Sequence, residues 1–164
     1  MIGGNGHVVQ IDETVIARRK YNRGRIVPQK WLFGAIDTIN KHFILKSVDS
    51  RDKTTLKTVI VDSICSGSIV HSDRWPAYMS IFDESFPYSH GSVNHSKNFV
   101  DPDTGINTNL IENLWMLLKQ SLRRKFLRSR LHLDLYLAEF CIRSKFKNQK
   151  DALFLTILKS IKLI

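Results

Sequence analysis

The chain has only two cysteines among its 164 residues, Cys65 and Cys141, and they stand far apart. They form no Cys-x-x-Cys pair, so no zinc ribbon is encoded, and they are too few for a disulfide framework. We therefore expect a reducing, intracellular compartment. This would be the nucleus in a eukaryote and the cytoplasm or nucleoid in a bacterium.

Long hydrophobic runs are also missing. No apolar run approaches the 18 residues that a membrane-spanning helix needs, so we expect no membrane association. The start, MIGGNGHVVQ, has neither the charged nor the apolar segment of a signal peptide. A hydrophobic content of 43% is nevertheless ordinary for a globular protein, and the length allows one domain with a real core.

Acidic residues are in the minority, with 15 Asp and Glu against 25 Lys and Arg and a net charge of +10. This balance favours a polyanionic partner, although a basic protein without such a partner is the simpler alternative. A one-signed run of cations from Lys119 to Arg130 and a basic loop from Arg18 to Arg25 predict two tracks for phosphates, the alternative being solvated surface. The cations that we expect to contact DNA are Lys119, Arg123, Arg124, Lys125, Arg18, Arg19 and Arg23.

The order of the predicted elements indicates an α/β fold. Strands are predicted at 7–15, 31–37, 42–49, 69–72 and 88–93, and helices from Asp52 to Gly67, from Pro76, and at 109–128, 133–146 and 151–163. Three antiparallel strands, a crossover helix, two further strands and then helices are typical of a ribonuclease H-like mixed sheet flanked by helices. We expect a catalytic domain over residues 1–146 and a C-terminal helical tail over 147–164.

Three acidic residues and a lysine lie at the ends of these elements. Asp12 follows an apolar strand in VVQIDET, Asp73 ends the strand of IVHSDRWPAY, and Glu112 opens the helix of NTNLIENLWMLLKQ, with Lys119 seven residues later. Isolated carboxylates at the ends of buried strands are costly unless something such as a divalent cation binds them. Their convergence beside a basic surface suggests metal-dependent phosphoryl transfer on nucleic acid.

Each acidic residue also has a simpler interpretation. Asp12 is merely solvated if its strand ends early, and its neighbour Glu13 is a rival that strand alternation sends to the opposite face. Asp73 suits a turn before the next helix. Glu112 fits a capping box in which it turns back to the backbone of Asn109 at the helix start. Only their convergence favours catalysis.

The sequence resembles the transposase domain of Merlin-type DNA transposons and their bacterial insertion-sequence relatives of the ISXO type. The resemblance runs in order from about Gly3 to Phe146. Its matching stretches are IGGNGHVVQIDET, RRKYNRGR, KWLFGAIDT, VDSRDKTTL, GSIVHSDRWPAY, VNHSKNFVDPDTGINTNLIENLWMLLK and YLAEF.

The resemblance implies a DDE-type transposase that cleaves DNA strands at transposon ends and joins them to target DNA, as a homo-oligomer and with two Mg²⁺ or Mn²⁺ ions. It implies Asp12, Asp73 and Glu112 as metal ligands, with Lys119 as the basic residue of the catalytic set. Family members often have Gly at the positions of Arg74 and Asn113. Some carry Asn as the third ligand, which leaves Glu112 and its neighbour Asn113 as alternatives.

Two rival functions stay open. A nuclease of the same fold would use the same carboxylates for hydrolysis alone, and a domesticated remnant of a transposon would bind DNA without catalysis. The C-terminal stretch KFKNQKDALFLTILKSIKLI does not match the family, and we identify no upstream DNA-recognition domain in this chain. We therefore expect the intact carboxylates to mark a catalytic core without sequence-specific recognition.

Overall fold

The computed structural model describes residues 1–16, 30–82, 85–94, 100–124 and 133–146, with only the backbone of Arg124. Its centre is a five-stranded mixed sheet in the order β3-β2-β1-β4-β5. The strands are β1 (Val8–Val15), β2 (Trp31–Asp37), β3 (Phe43–Val48), β4 (Ile69–Asp73) and β5 (Ser89–Val93). The helices are α1 (Lys53–Ser63), α2 (Pro76–Ile81), α3 (Asn109–Arg124) and α4 (Leu133–Lys145).

Strand directions follow from the connections. The short turn between β2 and β3 makes an antiparallel hairpin, and β2 also pairs antiparallel with β1. Helix α1 separates β3 from β4, and β4 then pairs in parallel with β1 and with β5. The predicted ribonuclease H-like mixed sheet, with three antiparallel strands followed by parallel ones, is therefore confirmed.

Local sequence signals explain where the first helices begin. The side chain of Asp52 caps α1 by accepting a hydrogen bond from the backbone N–H of Thr55 at 2.9 Å. Pro76 occupies the first turn of α2, where its missing N–H costs nothing. The predicted end of α1 at Gly67 was wrong, because the helix ends at Ser63 and Gly67 instead takes a φ of +80° in the turn before β4.

One face of the sheet carries the main hydrophobic core. Alternation along β1 directs Val9 and Ile11 to this face, and both are fully buried. They belong to one cluster with residues of α1 and α2, including Leu56, Ile60 and Tyr78. This face therefore holds the sheet against the two short helices.

The opposite face receives the first half of α3. Gln10, one position away from Val9, accepts hydrogen bonds from the backbone N–H groups of Leu110 and Ile111 at 2.8 and 3.2 Å. Trp115 reaches the same face of the sheet, where it contacts β1. The start of α3 is thus fixed over β1.

The chain divides into two compact units, Met1–Met116 and Leu117–Ile164. The first holds the sheet, α1, α2 and the first half of α3. The second holds the rest of α3 and also α4, whose Leu133, Leu137 and Phe140 are buried. The predicted boundary between a catalytic domain and a tail at residue 147 stays a prediction, because residues 147–164, with their predicted helix, lie outside the described residues.

Within the described ranges, no helix is long and apolar enough to cross a membrane. Cys65 and Cys141 are both free thiols.

Candidate active site

β1 continues to Val15, so Asp12 lies inside the strand and not at its end as the sequence suggested, and its carboxylate is on the face that α3 covers. The parallel pairing of β1 with β4 sets Gln10 opposite His71, and the same register continued by two residues brings Asp12 level with Asp73. Neighbouring strands lie about 4.8 Å apart, and paired residues project to the same face. Asp12, inside β1, and Asp73, at the end of β4, therefore project from neighbouring strands to one face of the sheet.

Asp12 has an unusual electrostatic environment. Burial, followed by the negative charge of Asp73, raises the pKa of Asp12 from 3.8 to about 6, and the charge of Glu112 adds to the increase. Hydrogen bonds from the backbone of Glu13 and the side chain of Trp115 oppose it. The negative charges of Asp73 and Glu112 therefore both act on Asp12.

Trp115 holds the Asp12 carboxylate in place. Its indole Nε1–H donates to Asp12 Oδ2 at 2.9 Å, and the side chain is only 4% exposed. Gly34, which pairs with Asp12 across β1 and β2, leaves the space for the indole ring. A Cβ at Gly34 would lie 2.5 Å from Trp115 Cη2, far inside van der Waals contact. This close approach explains why glycine stands in the middle of a buried strand.

Asp73 is held by the turn that follows β4. The backbone N–H of Trp75 donates to Asp73 Oδ1 at 2.9 Å, which is the Asx turn that the sequence Ser-Asp before a helix favours. The hydroxyl of Ser72 donates to the backbone carbonyl of Asp73 at 2.7 Å and lies 2.8 Å from His90 Nε2. Both the side chain and the backbone of Asp73 are thus fixed.

Glu112 lies in the first turn of α3. Thr108, immediately before the helix, donates its hydroxyl to Glu112 Oε1 at 3.1 Å, and its carbonyl accepts from the Glu112 backbone N–H. One carboxylate oxygen of Glu112 is thus engaged at the helix start, as the capping interpretation expects. Its partner is Thr108, however, and not the predicted Asn109. Asn113, the alternative third ligand, is exposed, whereas Glu112 is half-buried and its charge acts on Asp12.

Glu13 projects to the opposite face of β1 from Asp12, as strand alternation predicts. Burial, followed by the charges of Asp12 and Asp73, raises the pKa of Glu13 from 4.5 to about 9, and the nearby Arg51 opposes the increase. Within the described part of the chain, its Oε1 is buried without a hydrogen-bond partner. The folded protein therefore favours the protonated form of Glu13.

The predicted basic residues are only partly described. Lys119 is half-buried and Arg123 exposed, both on the part of α3 that belongs to the second compact unit. Their position relative to the carboxylates stays a prediction. The side chain of Arg124, and the whole of Lys125, Arg18, Arg19 and Arg23, lie outside the described residues.

The carboxylates suit a metal ion by their chemistry. They offer only oxygen atoms, which Mg²⁺ and Mn²⁺ prefer, and the repulsion at Asp12 is what a bound cation would relieve. Over the described ranges, however, no group of three His, Cys, Asp or Glu side chains has the arrangement of a metal site. Mg²⁺ normally keeps several waters and uses one or two carboxylates together with substrate phosphates. The residues present fit such a substrate-completed site.

A family model described as the ISXO2-like transposase domain matches residues 3–145 of the chain. The chain belongs to this family. The predicted relationship to ISXO-type DDE transposases is thereby confirmed. A comparison with curated protein sequences found no significant match for this transposase domain.

Solved structures similar to the transposase domain include catalytic cores of retroviral integrases. The integrase core of HTLV-2 in complex with magnesium, in its trimeric form, has 17% identity and a TM-score of 0.53, with 85% of this chain and 84% of that chain covered. The core of BIV integrase has 13% identity and a TM-score of 0.56, with coverage of 85% and 83%. The simian T-cell lymphotropic virus intasome has 17% identity and a TM-score of 0.55, with coverage of 85% and 48%. These likenesses show the fold, which is the ribonuclease H-like fold of the integrase catalytic cores.

Sequence reasoning missed several residues that support the site. Gln10 fixes the start of α3, Gly34 makes room for Trp115, and Trp75 binds Asp73 through its backbone. The two-residue alternation along β1 could have placed Gln10 on the same face as Asp12, since residues two apart in a strand share a face. The role of Gly34 had a weaker signal, because an isolated glycine in a strand only indicates some close approach.

Proposed function

We propose that this transposase domain catalyses metal-dependent phosphoryl transfer on DNA, comprising strand cleavage and strand transfer, with Asp12, Asp73 and Glu112 as its metal-binding residues. The observation that carries the proposal is the position of Asp12, a half-buried carboxylate held by Trp115 on the strand beside Asp73, where the charges of Asp73 and Glu112 both raise its pKa. Such a cluster is unfavourable for folding by itself, and perturbed carboxylates of this kind are concentrated at functional sites.

Asp12, Asp73 and Glu112 would together hold two Mg²⁺ or Mn²⁺ ions. When bound, the ions would supply Lewis-acid stabilisation of the reacting phosphate and of the attacking and leaving oxygens. The protein's own contribution is orientation. Trp115 fixes one oxygen of Asp12, Trp75 fixes one oxygen of Asp73, and Thr108 fixes one oxygen of Glu112.

Glu112 is our choice of third ligand over Asn113. Its charge acts on Asp12, and its side chain is half-buried whereas that of Asn113 is exposed. Gln10 supports this choice because it fixes the N-terminus of α3 against β1. If Glu112→Gln kept full activity and Asn113→Ala lost it, the assignment on the helix would be off by one residue.

DNA is the proposed substrate, as transposon ends and as target. Lys119, seven residues after Glu112 in the sequence, would bind the DNA backbone beside the reacting phosphate. The exposed Arg123 and the other cations of the two basic tracks would contact further phosphates. Because solved relatives of this fold include dimeric and trimeric integrase cores and an intasome, we also propose that the domain works as a homo-oligomer inside the cell.

A plasmid assay tests the proposal. Purified protein with supercoiled DNA and Mn²⁺ should produce nicked and linear plasmid, and Asp73→Asn should abolish the reaction. Asp62→Asn is the matched control, since Asp62 is an exposed acid on α1. A protein that binds DNA but yields no cleavage with either metal would support the domesticated-remnant alternative instead.

The nuclease alternative needs a second substrate. A duplex with a pre-cleaved 3′-hydroxyl end separates the two reactions, since a transposase joins it to a target plasmid and a nuclease only degrades it. Joined products that require Asp12 and Glu112 would support strand transfer. Degradation alone would favour the nuclease.

A further inference from the structure

An arginine is stacked between two tryptophans, one of which follows Asp73 by two residues in the sequence. The guanidinium carbon of Arg51 lies 4.0 Å from the ring centroid of Trp31 and 4.1 Å from the ring centroid of Trp75. The indole Nε1–H of Trp75 also donates to the backbone carbonyl of Arg51 at 3.4 Å. We call these three residues the tryptophan–arginine stack.

The stack joins three distant segments of the chain. Trp31 begins β2, Arg51 lies between β3 and α1, and Trp75 is the N-cap of α2. Trp31 and Trp75 are partly buried and pack against the main hydrophobic core. The guanidinium is planar and can cover an aromatic ring with each of its faces, which an ammonium group cannot do. The stack therefore fixes the position of Trp75 relative to the sheet.

Trp75 is also the residue that orients Asp73. Its backbone N–H donates to Asp73 Oδ1, so any movement of Trp75 moves the hydrogen-bond donor of that carboxylate. Ser72 holds the backbone carbonyl of Asp73 independently. With the backbone fixed in this way, the direction of Oδ2 depends on the place of the Trp75 amide.

We propose that Arg51 is a positioning residue for Asp73, acting through the stacked Trp75 and its backbone amide. Arg51 touches neither Asp73 nor DNA in this role, and it acts by the shape of its guanidinium group. One consequence of the inference, an effect on metal binding by Asp73, rests on the proposed function. The structural link itself is independent of that function.

Nuclear magnetic resonance tests the link directly. The chain has three tryptophans, so ¹⁵N-tryptophan labelling gives three backbone amide signals and three indole signals. Asp73→Ala removes the acceptor and defines where the Trp75 amide signal appears without its hydrogen bond. In Arg51→Ala this signal should move towards that position. The Trp115 signals should stay in place and thereby report an intact fold.

Two further variants separate the effect of the shape of the Arg51 side chain from the effect of its charge. They also keep the test valid if Arg51→Ala fails to fold. Arg51→Lys keeps the positive charge but loses the two-faced stacking, so it should resemble Arg51→Ala. Trp31→Leu opens the stack from its other side and should move the Trp75 amide in the same direction. The control is Lys57→Ala, which removes an exposed cation that lies over a different ring, that of Phe86. It should leave the Trp75 signal unchanged.

Mn²⁺ affinity, measured from the amplitude of the free-ion electron paramagnetic resonance signal, tests the consequence. Loss of a residue that supports a metal ligand typically weakens metal binding about 10- to 100-fold, and we expect this for Arg51→Ala and Arg51→Lys. A Trp75 amide that keeps its wild-type position in Arg51→Ala would overturn the positioning role. If Asp73→Asn left Mn²⁺ affinity unchanged while the amide moved, the link would stand and the proposed function would fail.

Discussion

Asp12 is the residue whose environment is hardest to explain without a ligand. Burial and the charges of Asp73 and Glu112 raise its pKa, and the hydrogen bond from Trp115 offsets only part of this effect. A raised pKa means that the folded protein disfavours the ionised carboxylate. In the absence of a cation, the charged form of Asp12 therefore lowers the stability of the fold.

The pH dependence of this effect has a definite sign. The folded pKa of about 6 lies above the unfolded value of 3.8, so the folded protein binds more protons between these values and loses stability as pH rises through them. Metal-free Asp12→Asn should therefore be more stable than wild type by about 1–3 kcal/mol at pH 7.5. The difference should vanish near pH 4. Urea unfolding in a chelator at both pH values measures it.

The control for this comparison is Asp62→Asn, which removes an exposed acid on α1. It should change stability by less than about 0.5 kcal/mol at either pH. If Asp12→Asn were less stable than wild type at pH 7.5, the inferred repulsion between Asp12 and the neighbouring carboxylates would be contradicted.

The contact between Gly34 and Trp115 gives a steric prediction. Gly34→Ala should destabilise the protein by about 1–3 kcal/mol, because the added Cβ would overlap the indole ring. Trp115→Phe introduces a smaller ring and should recover part of this loss when it is added to Gly34→Ala. The double variant should therefore lose less stability than the sum of the losses of the two single variants. Thermal unfolding of the two single variants and the double variant measures the coupling. Strictly additive losses would show that the two residues do not compete for the same space.

Some features of the candidate site could be predicted from the sequence and others could not. Alternation along β1 correctly assigned Asp12 and Glu13 to opposite faces, because the period of a strand is fixed by its backbone. The hydrogen bond from Trp115 to Asp12 could not be predicted. It depends on the height of α3 above the sheet, which Gly34 determines through packing.

At the scale of elements, the placement of α3 depends on a buried polar residue. Gln10 is 2% exposed and satisfies two of the N–H groups that every helix start leaves unpaired, while its own amide N–H donates to Asn107. Glu112 lies within the same turn. The placement of the start of α3 over β1 therefore depends on Gln10 as well as on the packing at Gly34.

Replacing Gln10 by Leu should test this placement. The variant keeps a similar volume but leaves the N–H groups of Leu110 and Ile111 without their acceptor, which should cost about 1–3 kcal/mol of stability. Cleavage should fall further than the lost stability explains, because Glu112 loses its fixed position. Equilibrium unfolding and plasmid nicking measure the two effects.

Gln120→Leu is the matched control, since Gln120 is exposed on the same helix. It should leave both stability and nicking close to wild type. Equal losses in the two variants would show that the cap by Gln10 is unimportant for the site.

The elements themselves were largely predictable. Strand composition, the cap at Asp52 and Pro76 in the first turn of α2 are local signals, and local signals set most of the boundaries. Gly67 was misread because glycine favours both helix ends and other left-handed turns. Only its φ within the loop before β4 separates the two possibilities.

At the scale of the whole molecule, element order was the most informative signal. A β-hairpin on β1 followed by a helical crossover permits few topologies, since such crossovers are right-handed and return to a parallel strand. It follows that Asp12 and Asp73 lie on neighbouring parallel strands. The placement of the second compact unit, with Lys119 and Arg123, has no comparable local signal, and their contacts with DNA stay predictions.

The basic surface predicts weak and salt-sensitive DNA binding. Phosphate contacts carry no sequence information, so we expect a Kd of about 10⁻⁴ to 10⁻⁶ M at physiological salt for any duplex. Combining Arg123→Ala with Arg124→Ala should reduce the slope of log K against log salt by about two units if both contact phosphate. Lys119→Ala should reduce cleavage more than binding. Fluorescence anisotropy across a salt series measures these effects, and tight, salt-insensitive binding of one sequence would contradict them.

The most direct test of the proposed site is whether its carboxylates act as one unit. Plasmid nicking in Mn²⁺ should be compared for Asp12→Asn, Asp73→Asn, Glu112→Gln and the double variant of Asp12 and Glu112, with Glu139→Gln on α4 as the control. Each single variant should lose nicking by a factor on the order of 10³ or more, and the double variant should be no worse, because residues of one catalytic unit are not additive. Nicking that survives in any single variant, or falls equally in Glu139→Gln, would contradict a shared site at Asp12, Asp73 and Glu112.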